Sequence, residues 1–171
     1  AGSPSRAADV FHQVIQKDAQ NARAYTGLGE ASLALGNYAV AEAQFARAGR
    51  LSPHDTAVAV RRDVARSLAQ MDPSIRGLRL RDRYQRAHDI LLLTVQTVAR
   101  CPLDSAASAT AAVAVSSLGR SPGESGDALD DLVQTDLTTA QTLWRLRPVA
   151  CVSLSTPIEK ALALLQDALS R

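Results

Sequence analysis

The chain has 171 residues, 46% hydrophobic, 21% charged and 4% aromatic, with a formal charge of +2 at neutral pH. This balance excludes a disordered tail, a collagen-like chain and a disulfide-dense miniprotein, and it carries no global polyanion-binding signal. No run approaches the roughly 18 apolar residues of a membrane-spanning helix.

Abundant alanine with few β-branched and aromatic residues favours helix over sheet, and eight helical segments follow in chain order. Ser3-Pro4 opens the first, which runs to about Asp18 with Ala7, Val10, Phe11, Val14 and Ile15 on one face. The second runs from Asn21 or Ala22 to Leu35 and stops at Gly36-Asn37. The third spans Tyr38 to Leu51, before Pro53, and the fourth starts after Asp55 and reaches Gln70. A long fifth helix starts at about Ser74 or Arg81 and ends at Arg100, before Cys101-Pro102. The sixth, from Asp104 to Leu118, is apolar nearly all round between Ala106 and Val115, the pattern of a helix buried on several sides. The seventh, 127–146, repeats Leu129, Leu132, Val133, Leu137, Ala140, Leu143 and Trp144 at helical spacing. In the eighth, Thr156, Pro157 and Glu159 predict a capping box, with Ile158, Leu162, Leu165 and Leu169 as the apolar face. Strict two-residue alternation occurs nowhere, so the fold class is all-α.

Residues 22–55 form a 34-residue unit: Tyr25, Leu28-Gly29, Ser32, Gly36-Asn37-Tyr38, Ala41, Phe45, Ala48 and Pro53. Gly29 and Ala41 are small where two antiparallel helices cross. Gly36 permits the turn, Tyr25, Leu28, Tyr38 and Phe45 fill the space between helices, and Pro53 ends the second helix. In period and positions this unit resembles a tetratricopeptide repeat. One period earlier, Ala7, Phe11 and Val14 match the second helix of a truncated unit. One period later the match weakens, with Arg62-Asp63 in place of Leu-Gly, and it recovers partly at Tyr84, Ala87 and Leu91 before Pro102. The resemblance covers about 5–102 and is strong over 22–55.

It implies antiparallel helix pairs stacked as a short superhelix over 1–102, with helices of 103–171 packing on and capping the array. It also implies a groove, lined by the first helix of each pair, that receives a peptide or helix of another protein. Tyr25, Leu28, Gly29 and Ser32 point into the stack, so Arg23, Thr26, Glu30 and Leu33 occupy another face of that helix. The fourth helix adds Val60 and Val64. The lysine, asparagine and arginine set of the family's carboxylate clamp is missing from these positions, which argues against chaperone tails as clients.

Eight arginines crowd residues 61–86, including Arg61, Arg62, Arg66, Arg76, Arg79, Arg83 and Arg86. They are read either as a solvated face paired internally with the acidic stretch 104–136 or as a site for an anionic partner. Cys101 and Cys151 are either paired in an oxidising compartment or two buried thiols. Two cysteines and three histidines make no zinc set, and no cofactor is implied. Gly119-Arg120-Ser121-Pro122-Gly123 has the letters of a hydrolase elbow, but Pro122 has no N–H for an oxyanion. Cys101 with His88 lacks an orienting third group.

The expectation is therefore a non-enzymatic scaffold, resembling accessory or assembly factors of bacterial secretion, pilus or envelope systems, with the envelope favoured over the cytoplasm. Alternatives are a polyanion- or nucleic-acid-binding regulatory domain using the arginines, a cytosolic chaperone for a secreted protein, and self-association through an end of the stack.

Overall fold

The computed structural model describes residues 3–120, 126–148, 150 and 154–170. Among them are eight helices and no strand: α1 (Pro4–Lys17), α2 (Ala22–Ala34), α3 (Tyr38–Leu51), α4 (Thr56–Met71), α5 (Leu80–Val98), α6 (Ser105–Leu118), α7 (Gly126–Leu146) and α8 (Pro157–Leu169). Their ends follow local chemistry. The Asn21 side chain accepts from Ala24 N–H at 3.0 Å, and Asp104 accepts from Ala107 N–H at 2.8 Å. Such side-chain acceptors satisfy the donors that a helix start leaves unpaired. Asp55 does the same for α4, accepting from Ala57 and Val58. After α2 the chain reverses through Gly36 at φ 75°, a conformation that favours glycine.

Contacts group the chain into two compact units, Ala1–Ala69 and Gln70–Arg171. The division falls near the end of α4, whereas the sequence suggested one after Pro102. α5 stands with the C-terminal helices because it packs on α6, α7 and α8.

In the first unit α2 packs on both α1 and α3. Its core joins Ala41, Phe45 and Ala48 of α3 to Val58 and Ala65 of α4, with Tyr25 and Leu33 of α2 packed against them. The crossing of α2 and α3 is close because Gly29 has no side chain: a Cβ there would stand 2.7 Å from the Phe45 ring. Gly27 plays the same part toward α1, where an added Cβ would meet Phe11 at 2.2 Å. The small-residue crossings of the antiparallel pair are thus present in this unit.

In the second unit α5 packs most extensively on α7, and α6 and α8 each contact both. Gly126 lies beside Leu80 and Asp136 meets His88, so α5 and α7 run parallel. Tyr84, Ala87, Leu129 and Val133 form the apolar seam between them.

Two expectations are corrected here. α6 is not buried on several sides: Ala107, Ala114 and Ser117 face inward, while Val113 and Val115 are 54% and 57% exposed. α6 packs on α5 and α7 with one stripe, and alanine holds the helix by propensity without needing burial. The inward face of α8 also differs. Leu162 and Leu165 are buried as expected, but Ile158 is exposed, and Glu159 and Gln166 are buried. Glu159 turns inward to complete the cap, which carries its neighbour Ile158 toward solvent.

Candidate protein-binding surface

The predicted groove residues of the first unit lie on α2 and α4. On α2, Arg23 and Glu30 are exposed and Thr26 is half-buried, its hydroxyl donating to the Ala22 carbonyl of its own helix. Leu33 is half-buried and lies against the core. On α4, Val60 is exposed, but Val64 is only 6% exposed and belongs to the interior. The reason lies in the helical period: Val64 shares an inward stripe with Ala65 and Leu68, whereas Val60 and Arg61 lie toward the open side.

An ion pair links the two helices across this surface. Arg61 Nε stands 3.2 Å from Glu30 Oε1, with both side chains about half exposed. The surface left for a partner is therefore Arg23, Thr26, the Glu30–Arg61 pair and Val60. It combines a little apolar area with polar groups of both signs, the composition of a non-obligate protein contact.

The arginine run is divided between the units. Within the first, Arg66 Nε donates to Glu42 Oε1 at 2.7 Å, and Arg62 donates to Asp63 at 3.0 Å. The hydrogen bond to Glu42, with the attraction of that carboxylate, raises the Arg66 guanidinium above its ordinary value. In the second unit, Arg76 and Arg79 are exposed, and Arg86 donates to the Asp72 backbone carbonyl at 2.8 Å. Arg83 is half-buried, and its Nε has no hydrogen-bond partner among the described residues. The first three arginines thus face carboxylates of their own unit, on α2, α3 and α4.

One cluster was not anticipated. His88 Nδ1 lies 3.0 Å from Asp136 Oδ2 and 3.4 Å from the Tyr84 hydroxyl. Asp136 is 1% exposed, and its second carboxylate oxygen has no hydrogen-bond partner among the described residues. Burial, reinforced by the Asp136 charge, pushes the Tyr84 phenol above its usual range. The signal was present in the sequence: Asp136 stands at helical spacing from Val133 and Ala140, on the apolar stripe of α7. His88 is therefore engaged by a carboxylate and a phenol across the α5–α7 seam.

Cys101 is buried, and its suggested partner Cys151 lies outside the described residues. Ser121, Pro122 and Gly123 of the elbow-like sequence also lie outside them, and the element leading toward that sequence is the helix α6, not a strand. Among the described residues no group of three or more His, Cys, Asp or Glu side chains could hold a metal ion. Among the same residues no helix is long and apolar enough to cross a membrane.

Comparison with known proteins agrees with the first unit. No curated protein and no solved structure matches the chain. The tetratricopeptide repeat family model matches residues 1–61, the stretch that holds α1, α2, α3 and the start of α4, so the chain resembles this protein-binding repeat family over that part of its length.

Proposed function

We propose that the first unit is a protein-interaction scaffold that holds a peptide or helix of another protein along the α2–α4 surface. The observation that carries this reading is the surface itself. Arg23, Thr26 and Val60 are accessible beside an ion pair that ties α2 to α4, in a stretch matched by a protein-binding repeat family. A partner presenting an apolar side chain to Val60 and an acidic group to Arg23 fits it. The role is one of binding and positioning, with no chemical step assigned to the chain. Service as an accessory factor of a secretion, pilus or envelope assembly is the finer form of the same proposal, and the identity of the partner decides it.

The test is binding by the full chain carrying Arg23→Glu and Val60→Glu, both at exposed positions. A partner that binds the wild type and not this variant supports the proposal. Equal binding by both removes the surface from consideration.

A polyanion reading is less well supported, since Arg61, Arg62 and Arg66 already face carboxylates. It leads to a separate expectation, a steep fall of binding with salt and its loss on Arg76→Glu/Arg79→Glu.

A further inference from the structure

The second unit carries a different surface, in which the chain's last helix is itself the occupant. α8 runs antiparallel to α5 and α7. Its first turn meets the end of α5, where Arg100 Nη1 stands 2.5 Å from Glu159 Oε1. Further along, Gln166 Nε2 donates to Thr94 Oγ1 at 3.0 Å. At its other end the Leu169 carbonyl accepts from Gln141 of α7 at 2.9 Å. Between these polar points Ala161, Leu162 and Leu165 form the buried ridge.

Two features distinguish this seam from an ordinary core. First, it is polar. Thr94, Glu159 and Gln166 are all buried there, and Thr97, also buried, follows Thr94 by three residues on the same stripe of α5. Permanent contacts are the more apolar class, and contacts that form and separate carry more polar groups. Gln166 Oε1 is also buried there, with no hydrogen-bond partner among the described residues.

Second, α8 is complete as a helix without the seat. Thr156 accepts from Glu159 N–H while Glu159 accepts from Thr156 N–H, and Pro157 occupies the first turn. Its start is therefore fixed by its own residues. The salt bridge that anchors it is open to water on one side, since the Arg100 side chain is 63% exposed.

We propose that the face shared by α5 and α7 is a helix-receiving groove from which α8 exchanges for an amphipathic partner helix of the same chemistry. That helix carries a carboxylate in its first turn for Arg100, an alanine–leucine ridge for the apolar floor, and a side-chain amide about two turns later for Thr94. This site is separate from the α2–α4 surface, and neither depends on the other.

The experiment titrates a fluorescently labelled peptide of residues 155–170 into the full chain, followed by anisotropy. Glu159→Gln in the chain weakens the resident helix and leaves the groove intact. The peptide is expected to bind this variant about tenfold more tightly than the wild type, a difference of about 1.4 kcal/mol. Arg100→Ala in the same background is expected to weaken binding again. A peptide carrying Leu162→Glu and Leu165→Glu is expected not to bind, while Arg23→Glu in the chain leaves binding unchanged. Absence of peptide binding to a Glu159→Gln chain with native helical circular dichroism overturns the proposal. If that variant does not fold, amide exchange of the wild type decides. Faster exchange of α8 than of α5 and α7 supports the groove, and equal protection overturns it. Dimers that dissociate on adding peptide would assign the groove to a second copy of the chain and overturn the partner-helix form.

Discussion

Gly29 and Phe45 are a lock in which neither side can yield. The Cβ of any replacement would stand 2.7 Å from a ring that is wholly buried. Gly29→Ala is therefore expected to cost about 1–3 kcal/mol in urea unfolding of the first unit, the range for overpacking a tight core. The approach at Gly27 is closer on paper, 2.2 Å from Phe11, but Phe11 is only half-buried and its ring can swing aside. Gly27→Ala should cost less than Gly29→Ala. The reverse order would show that the α1–α2 crossing governs the unit. At Gly36 the obstacle is backbone alone: φ is 75° with open space around the site, so Gly36→Ala should cost about 1 kcal/mol. Arg61→Ala, which removes a half-exposed pair with Glu30, should change stability by no more than about 1 kcal/mol. Changes at this surface can then be read as effects on binding.

Among the elements, α8 is the most sensitive to pH. Glu159 accepts from Thr156 N–H, its largest support, and also from Arg100 and Ser155, against the opposing cost of burial. These contacts hold its carboxyl down from 4.5 to about 2. A carboxyl depressed on folding stabilises the folded state above its unfolded value and loses that stabilisation as pH falls toward its folded one. The second unit should therefore lose about 1–3 kcal/mol between pH 5 and pH 2 through this group. Glu159→Gln should lower stability at neutral pH and flatten that part of the profile, as followed by circular dichroism during urea unfolding. An unchanged profile would place the pH dependence elsewhere.

The same helix shows what the sequence could reveal. Thr156, Pro157 and Glu159 announce the capping box, because capping is local chemistry between near neighbours. Glu159 turns inward with that cap, but the Arg100 it meets stands 59 positions away, and no local pattern records that pairing or the exposure of Ile158. Helix boundaries were legible where local chemistry marks them, at Asn21, Gly36, Asp55 and Asp104, whereas the start of α5 was not. The α5–α7 pairing and the exposure of α6 were not, since both depend on which helices meet. Of the candidate surface, Arg23, Glu30 and Val60 lie where the helical period put them, and Val64 turned inward by a fraction of a turn.

At the scale of the whole molecule, one chain joins two units of different construction. The first has tight glycine crossings and a resemblance to protein-binding repeats, and the second is organised about the α5–α7 pair. Both are read as binding units, through separate surfaces that separate variants address. The most direct measurement of the central claim is comparative capture by the full wild-type chain and by Arg23→Glu/Val60→Glu, at low and high salt. Each captured protein is then purified and its binding measured alone. The account predicts a partner that binds directly, survives high salt and is lost with this variant while the variant unfolds like the wild type. A partner held equally by both chains, or one released by salt and lost only with Arg76→Glu/Arg79→Glu, would contradict it.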